Sequence, residues 1–166
     1  MASGNTTSYI NVKVETEIDQ LCRTSDVIVT TTPSRSPIVS SEWIQPGTHI
    51  TALGADAPGK QELDMDILRR ANLIVVDSLQ QCAAHGEIAT AVNQGLLDPG
   101  ECVEFGNLLA GTAAGRDLPS DITVADLTGV ARQDIAIVRA ALAAVKIEDE
   151  AAQNVCPTPP STMTRH

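Results

Sequence analysis

Short β-branched runs alternate along this chain with segments of helical periodicity, and no other feature constrains the fold as much. The apolar runs are DVIVT, HITAL, LIVV and ITVAD. Between and after them lie segments such as ELDMDILRRA and VARQDIAIVRAALAAV, whose apolar residues recur at helical spacing. Asp64 is the predicted N-cap of the first of these helices, and Gly86 is a predicted break in the helical segment LQQCAAHGEIATAVNQGLL. Apolar strands separated by helices are typical of parallel sheets covered by helices. The sequence therefore predicts an α/β fold with a mostly parallel sheet.

The size, composition and charge of the chain limit its partners. Its 166 residues are enough for one domain with a substantial core. Aromatic residues make up only 2%, so Ala, Val, Ile and Leu must fill that core. The formal net charge of −10 opposes binding to phosphate backbones and to anionic membranes. No apolar run approaches the roughly 18–20 residues of a membrane-spanning helix. We expect neither a nucleic-acid nor a membrane partner.

The cysteines indicate the cellular compartment and the absence of a metal site. They stand at positions 22, 82, 102 and 156, without a CxxC pair and without the spacing of a zinc site. The N-terminal residues MASGNTTSYI lack the basic and apolar regions of a signal peptide. These features predict reduced thiols, no bound metal and a cytoplasmic location.

Three of the predicted strands run into polar or glycine-rich loops. These loops are Thr30–Ser34, Gly54–Lys60 and Asp126–Gly129. Ligands of parallel sheets bind beyond the carboxyl ends of the strands, so we expect the three loops to meet at one ligand-binding edge. However, the chain contains no G-x-G-x-x-G, no P-loop and no G-x-S-x-G. A dinucleotide site therefore lacks its usual fingerprint in this sequence.

Asp56 is the single carboxylate in the second loop, GADAPGK. An aspartate between small residues is typical of a turn, where it accepts hydrogen bonds from nearby backbone. A carboxylate at the end of a strand is also suited to proton transfer. Lys60, at the end of the same loop, is a substrate contact, a solvated residue or a local partner of Glu62. The pattern alone leaves these alternatives open.

Several ordered motifs resemble the ornithine cyclodeaminase/mu-crystallin family. They are SDVIVTTTPSRSPIVSSEWIQPGTHITALGADAPGKQELD, LIVVDS, EFGNLLAG and DLTGVARQD, and the resemblance covers roughly Tyr9–Val145. It implies a Rossmann-like NAD-binding domain that is incomplete, because the first βαβ unit and the N-terminal substrate domain have no counterpart here. It divides the chain into a non-family segment (1–8), a partial NAD(P)-binding domain with a returning C-terminal helix (9–145) and a flexible tail (146–166).

The resemblance also implies roles for individual residues. Asp56 matches the family's catalytic aspartate beside the nicotinamide. The residues that match cofactor-binding positions are Thr31, Thr32, Pro33, Ser34, Leu53, Gly54, Thr128 and Gly129. The lysine and arginine that hold the substrate carboxylate in the family have no counterpart in this chain.

The activity implied by the resemblance is that of an NAD-dependent ornithine cyclodeaminase. Such an enzyme converts L-ornithine to L-proline and ammonia by internal hydride transfer, and NADP remains possible as the cofactor. We expect a small amino-acid or imine substrate, a homodimeric parent enzyme, and no activity for this chain alone.

The alternatives are an alanine dehydrogenase or ketimine reductase of the same family, or a non-catalytic remnant that acts as an interaction module. An in-frame G-x-G-x-x-G segment upstream of the Met1 codon would favour an enzyme over the remnant.

Overall fold

The computed structural model describes residues 11–155, and within them strands alternate with helices as the sequence predicts. The strands are β1 (Val27–Thr30), β2 (Arg35–Val39), β3 (His49–Ala52), β4 (Gln61–Leu63), β5 (Leu73–Val76), β6 (Val103–Glu104) and β7 (Thr123–Asp126). The helices are α1 (Ile18–Thr24), α2 (Met65–Arg70), α3 (Leu79–His85), α4 (Ile88–Asn93), α5 (Phe105–Leu109) and α6 (Ala131–Val155). Single 3₁₀ turns lie at Ser41–Trp43 and Pro99–Glu101.

The main sheet has five parallel strands in the order β1-β3-β7-β5-β6. A second, two-stranded parallel sheet pairs β2 with β4. Along the chain, β2 follows β1 and β4 follows β3. The small sheet therefore pairs the two segments that come directly after neighbouring strands of the large sheet. The prediction of an α/β fold with a mostly parallel sheet is confirmed.

The core lies against one face of the main sheet. Alternate strand residues, such as Ile28, Ile50 and Val124, are almost fully buried. They form one cluster with apolar side chains of the helices, namely Cys22, Ile67, Leu68, Cys82, Ile88 and Ala91. The intervening residues of β1 point the other way, and Val27 and Val29 are 61% and 57% exposed. Alternation of side chains along a strand explains this difference between the two faces.

The sequence did not predict the pairing of β2 with β4, since it indicated only the polar loop Thr30–Ser34 after β1. The register of this pair shifts between Arg35 and Val39. Pro37 lies in that irregular stretch, where its missing N–H interrupts no regular ladder. Short, partly exposed strands that contain proline have no periodic apolar pattern, so no sequence signal marks this pair.

Two local predictions for the helices are confirmed. The side chain of Asp64 accepts a hydrogen bond of 3.0 Å from the N–H of Asp66, which makes Asp64 the N-cap of α2. The helical segment from Leu79 onward breaks at Gly86, between α3 and α4. A side chain at Gly86 would collide with the carboxylate of Asp126, so this position requires glycine.

Residues from Gly129 onward form a second compact unit, which consists mainly of α6. The sequence predicted a flexible tail from residue 146, but α6 continues to Val155. The N-terminal segment 1–8 and residues 156–166 lie outside the described residues. Within residues 11–155, no helix combines the length and the apolar character that crossing a membrane requires.

Candidate functional site

The carboxyl ends of four neighbouring strands form one row at an edge of the main sheet. Thr30 is in register with Ala52, Ala52 with Asp126, and Asp126 with Val76. The backbone continues this order into the loops, since the N–H of Leu53 donates to the carbonyl of Thr30 at 2.9 Å. The loops that were predicted to share an edge, up to Thr128, therefore follow adjacent strands at that edge. Gly129 belongs to the second unit, and its φ of +82° suits glycine.

The loop after β1 is ordered by its own polar groups. Ser34 donates through Oγ to the carbonyl of Ser36 at 2.6 Å, and its N–H donates to Oγ1 of Thr32 at 3.3 Å. Thr31 and Pro33 are exposed, whereas Thr32 is half-buried. The loop thus presents Thr31 and Pro33 to solvent from a backbone that its own hydrogen bonds hold.

The loop after β3 approaches the loop after β1 very closely. Gly54 is buried, and a Cβ there would collide with the carbonyl oxygen of Thr32 and with the carboxylate of Glu62. Leu53, just before it, is 40% exposed. Only glycine allows this contact between the two loops.

Asp56 forms an ion pair with Lys60, whose Nζ lies 2.5 Å from Oδ1 of the aspartate. The side chain of Asp56 is 53% exposed. The hydrogen bond and the charge of Lys60 lower the pKa of Asp56, and His85 adds to this effect. Asp56 is therefore ionised at neutral pH, which is the form that can accept a proton, and the pairing with Lys60 makes it a weaker base than a free carboxylate. The predicted pairing of Lys60 with Glu62 is wrong, because Glu62 is fully buried and Lys60 binds the other acid.

Thr128 is fixed through Asp77, a residue that the sequence did not single out. Oδ1 of Asp77 accepts hydrogen bonds from Oγ1 of Thr128 at 3.1 Å and from the N–H of Ser78 at 2.9 Å. The thiol of Cys82 lies 3.3 Å from the same oxygen. Burial raises the pKa of Cys82 to about 12, so the thiol stays protonated. The available signal was an acid directly after the buried strand LIVV, at the same edge as the predicted loops.

Three buried acids lie beneath the edge, and the sequence did not predict the burial of any of them. Glu62, Glu87 and Asp126 are at most 1% exposed. Glu87 accepts hydrogen bonds from the N–H of Glu62 at 2.7 Å and of Leu63 at 3.0 Å. Oδ2 of Asp126 accepts from the N–H of Ile88 at 3.1 Å, and its Oδ1 has no hydrogen-bond partner. These carboxyls join the ends of β4 and β7 to the start of α4.

Burial raises the pKa of Glu87 to about 7 and that of Asp126 to about 6. A carboxyl with a raised pKa binds its proton more tightly in the folded state than in the unfolded state. Stability therefore falls as the pH rises between the unfolded and the folded pKa. For Glu87 this window runs from 4.5 to about 7.

We expect the substitution Glu87→Gln to flatten the decrease in stability between pH 5 and pH 8. The part due to Glu87 is on the order of 3 kcal/mol across its window. Urea unfolding of the 166-residue chain at several pH values measures it, with Glu101→Gln, at an exposed acid, as the matched control. Parallel stability curves for Glu87→Gln and the parent chain would contradict this prediction.

Within the described residues, no group of three His, Cys, Asp or Glu side chains is placed to hold a metal ion. The arrangement at the edge instead consists of exposed loop residues, one ionised carboxylate and a fixed backbone. Such an edge can hold the planar ring of an organic ligand and exchange protons with a group beside it.

Comparison with known proteins decides the family. The sequence model of the ornithine cyclodeaminase/mu-crystallin family matches residues 2–148 of this chain. The chain belongs to this family. The resemblance that its motifs predicted is confirmed, and members of the family related to this chain are NAD(P)-dependent oxidoreductases and cyclodeaminases.

Several family members are similar to this chain over most of its length. The alanine dehydrogenase of Archaeoglobus fulgidus is 50% identical over 115 residues, which are 69% of this chain and 35% of that protein. A solved archaeal alanine dehydrogenase dimer with bound NAD is 46% identical, with a TM-score of 0.67 over 80% of this chain and 40% of that one. The iminosuccinate reductase of Paracoccus denitrificans, in complex with NAD⁺, is 37% identical, with a TM-score of 0.75 over 80% and 41% of the two chains.

The chain thus spans about two-fifths of the length of these relatives. Thr31, Leu53 and Asp56, which the resemblance predicts to lie beside the nicotinamide, are exposed at this edge. The glycine-rich turn that usually receives the pyrophosphate is not present in its sequence. The described residues therefore fit one part of the cofactor, and the expected cofactor agrees with the NAD held by these relatives.

Proposed function

We propose that this chain is the nicotinamide-binding part of an NAD-dependent enzyme that interconverts an amino acid and its imine. The observation that carries this proposal is the ionised, exposed Asp56 on a loop that packs against the Thr31–Ser34 loop at the carboxyl edge of a parallel sheet. The identity of 50% to an alanine dehydrogenase supports it. Bound NAD would supply the acceptor for the hydride that leaves the α-carbon of the amino acid.

The residues of this chain would orient the reactants and handle protons. The backbone at Leu53 and Gly54, together with the Thr31–Ser34 loop, would line the nicotinamide ring. Asp56 would accept a proton from the substrate nitrogen, or from a water that attacks the imine carbon, and would return it in the reverse reaction. Thr128, held by Asp77, would close the far side of the ring. NAD is the expected dinucleotide, and a homodimer is the expected assembly of the complete enzyme.

A hybrid enzyme tests this proposal. In this hybrid, residues 9–145 of the chain replace the corresponding segment of the Archaeoglobus fulgidus alanine dehydrogenase, which supplies the remaining parts. We expect it to oxidise NADH in the presence of pyruvate and ammonia and to reduce NAD with alanine. The unaltered archaeal enzyme is the positive control. A folded hybrid that binds substrate but transfers no hydride would contradict the proposal.

Ornithine cyclodeamination is the second candidate, and the family description favours it. Its hydride leaves the α-carbon and later returns, so NAD is used catalytically and no NADH accumulates. Asp56 suits this reaction as well, because both the imine formation and the ring closure move protons on nitrogen. Formation of proline from ornithine with substoichiometric NAD, without oxidation of alanine, would favour the cyclodeaminase.

A further inference from the structure

Glu62 is a buried carboxylate whose hydrogen-bond donors come from two loops. It lies within β4 and is 0% exposed. Oε2 accepts from Oγ1 of Thr30 at 2.6 Å and from the N–H of Gly54 at 2.9 Å. Oε1 accepts from the N–H of Thr32 at 2.5 Å. Glu62 thus binds the ends of β1 and β3 and the loops that follow them.

Stability alone does not explain a glutamate at this position. Burying a carboxylate costs several kcal/mol, and hydrogen bonds offset that cost without a clear gain over an apolar side chain. Within residues 11–155, no lysine or arginine forms an ion pair with Glu62, and the nearby Lys60 binds Asp56. The residue therefore gains little stability over an apolar side chain, whereas its three donors fix the positions of two loops.

The hydrogen bonds of Glu62 also determine the orientation of two peptide groups. All described peptide bonds are trans, so each N–H points opposite to the carbonyl of the preceding residue. The N–H groups of Thr32 and Gly54 point at Glu62. The carbonyl oxygens of Thr31 and Leu53 must therefore point away from it. Two acceptors are held in fixed directions on the loops that carry the predicted cofactor residues.

The support for Glu62 is itself rigid. The backbone N–H groups of Glu62 and Leu63 donate to the carboxylate of Glu87, at the start of α4. The close contact of Gly54 with Thr32 leaves no space for the two loops to shift toward each other. A change at Glu62 should therefore alter the loops rather than be absorbed by β4.

We propose that Glu62 is a positioning residue, whose carboxylate turns the Thr31 and Leu53 carbonyls so that they accept hydrogen bonds from a primary amide such as that of nicotinamide. This inference rests on the proposed function. Glu62 itself contacts neither cofactor nor substrate, and it acts through the backbone of the two loops.

Kinetics of the hybrid enzyme test this role. In Glu62→Gln, an NH₂ group replaces one acceptor oxygen and leaves at least one N–H or hydroxyl donor unpaired. We expect the Kd for NADH to rise roughly 10–100-fold, the change that an unsatisfied buried donor causes. The KM for pyruvate, measured at saturating NADH, should stay unchanged.

Glu62→Asp, which keeps the carboxylate on a shorter side chain, should restore part of the affinity. Glu42→Gln, at an exposed acid, is the matched control.

A second variant keeps the test decisive if Glu62→Gln does not fold. Thr30→Val preserves the shape of a strand residue and removes one donor to Glu62. We expect a smaller rise in the Kd for NADH, about 3–10-fold, as the loss of one hydrogen bond predicts. In the 166-residue chain, the amide protons of Thr32 and Gly54 should resonate at low field and shift upfield in Glu62→Gln.

The possible outcomes separate the two proposals. An active hybrid in which Glu62→Gln or Thr30→Val lowers only thermal stability, with unchanged affinity for NADH, would overturn the positioning role and leave the proposed function intact. An inactive parent hybrid would contradict the proposed function, and the positioning role would be rejected with it. An active hybrid with weakened NADH binding and shifted amide signals would support both.

Discussion

Replacement of Asp56 by asparagine in the hybrid enzyme is expected to lower kcat about 10²–10⁴-fold, the usual cost of losing one acid–base group. The affinity for NADH should change little, because the proposed role of Asp56 is proton transfer at the substrate and its charge is paired with Lys60. The amide keeps the size and polarity of the side chain but cannot accept a proton. Pre-steady-state measurement of hydride transfer separates this effect from slower product release.

The control for this substitution is Asp66→Asn. Asp66 is an exposed acid in α2, outside the edge loops, and it pairs with Arg69 across one turn of the helix. Its replacement should leave kcat unchanged. If Asp56→Asn turns over as fast as the parent hybrid, Asp56 has no part in proton transfer and is a turn residue.

The 166-residue chain by itself is expected to bind NAD with a Kd in the millimolar range or weaker. The pyrophosphate of a dinucleotide normally binds the backbone amides of a glycine-rich turn at a helix N-terminus. No such turn is present in this sequence, and the net charge of −10 repels the phosphates. The chain should also form no proline from ornithine, since it has no counterpart of the cations that hold the substrate carboxylate.

Isothermal titration calorimetry with millimolar NAD, together with a sensitive ammonia assay, measures both expectations. The hybrid enzyme serves as the binding-competent control, since it contains the same residues 9–145. Micromolar affinity or measurable turnover by the isolated chain would show that the edge loops suffice for binding, without a pyrophosphate turn.

The features that the sequence predicted are those that depend on local patterns. Runs of β-branched residues located β1, β3, β5 and β7, and the capping aspartate Asp64 marked the start of α2. The breaking glycine Gly86 was also recognised. The expectation that loops meet at one edge needed only the rule that parallel strands share a direction. These inferences succeeded because each rests on spacing within a few residues.

The features that the sequence did not predict depend on contacts between distant segments. The burial of Glu62 requires donors from Thr30, Thr32 and Gly54, which are brought together only by the pairing of β1 with β3. A charged residue has no local signal that it will be buried. Likewise, the sequence offered Glu62 as a local partner of Lys60, but Glu62 is buried and Lys60 pairs with Asp56 instead.

A crystal structure of the hybrid enzyme with NADH tests the central claim most directly, namely that the carboxyl edge formed by β1, β3 and β7 holds the nicotinamide. We expect the ring to lie against the Leu53–Gly54 backbone, with its amide within hydrogen-bond distance of the Thr31 or Leu53 carbonyl. The Asp56 carboxylate should face the same side of the ring as the substrate. A nicotinamide bound away from this edge, or on the opposite side of the ring from Asp56, would contradict the account.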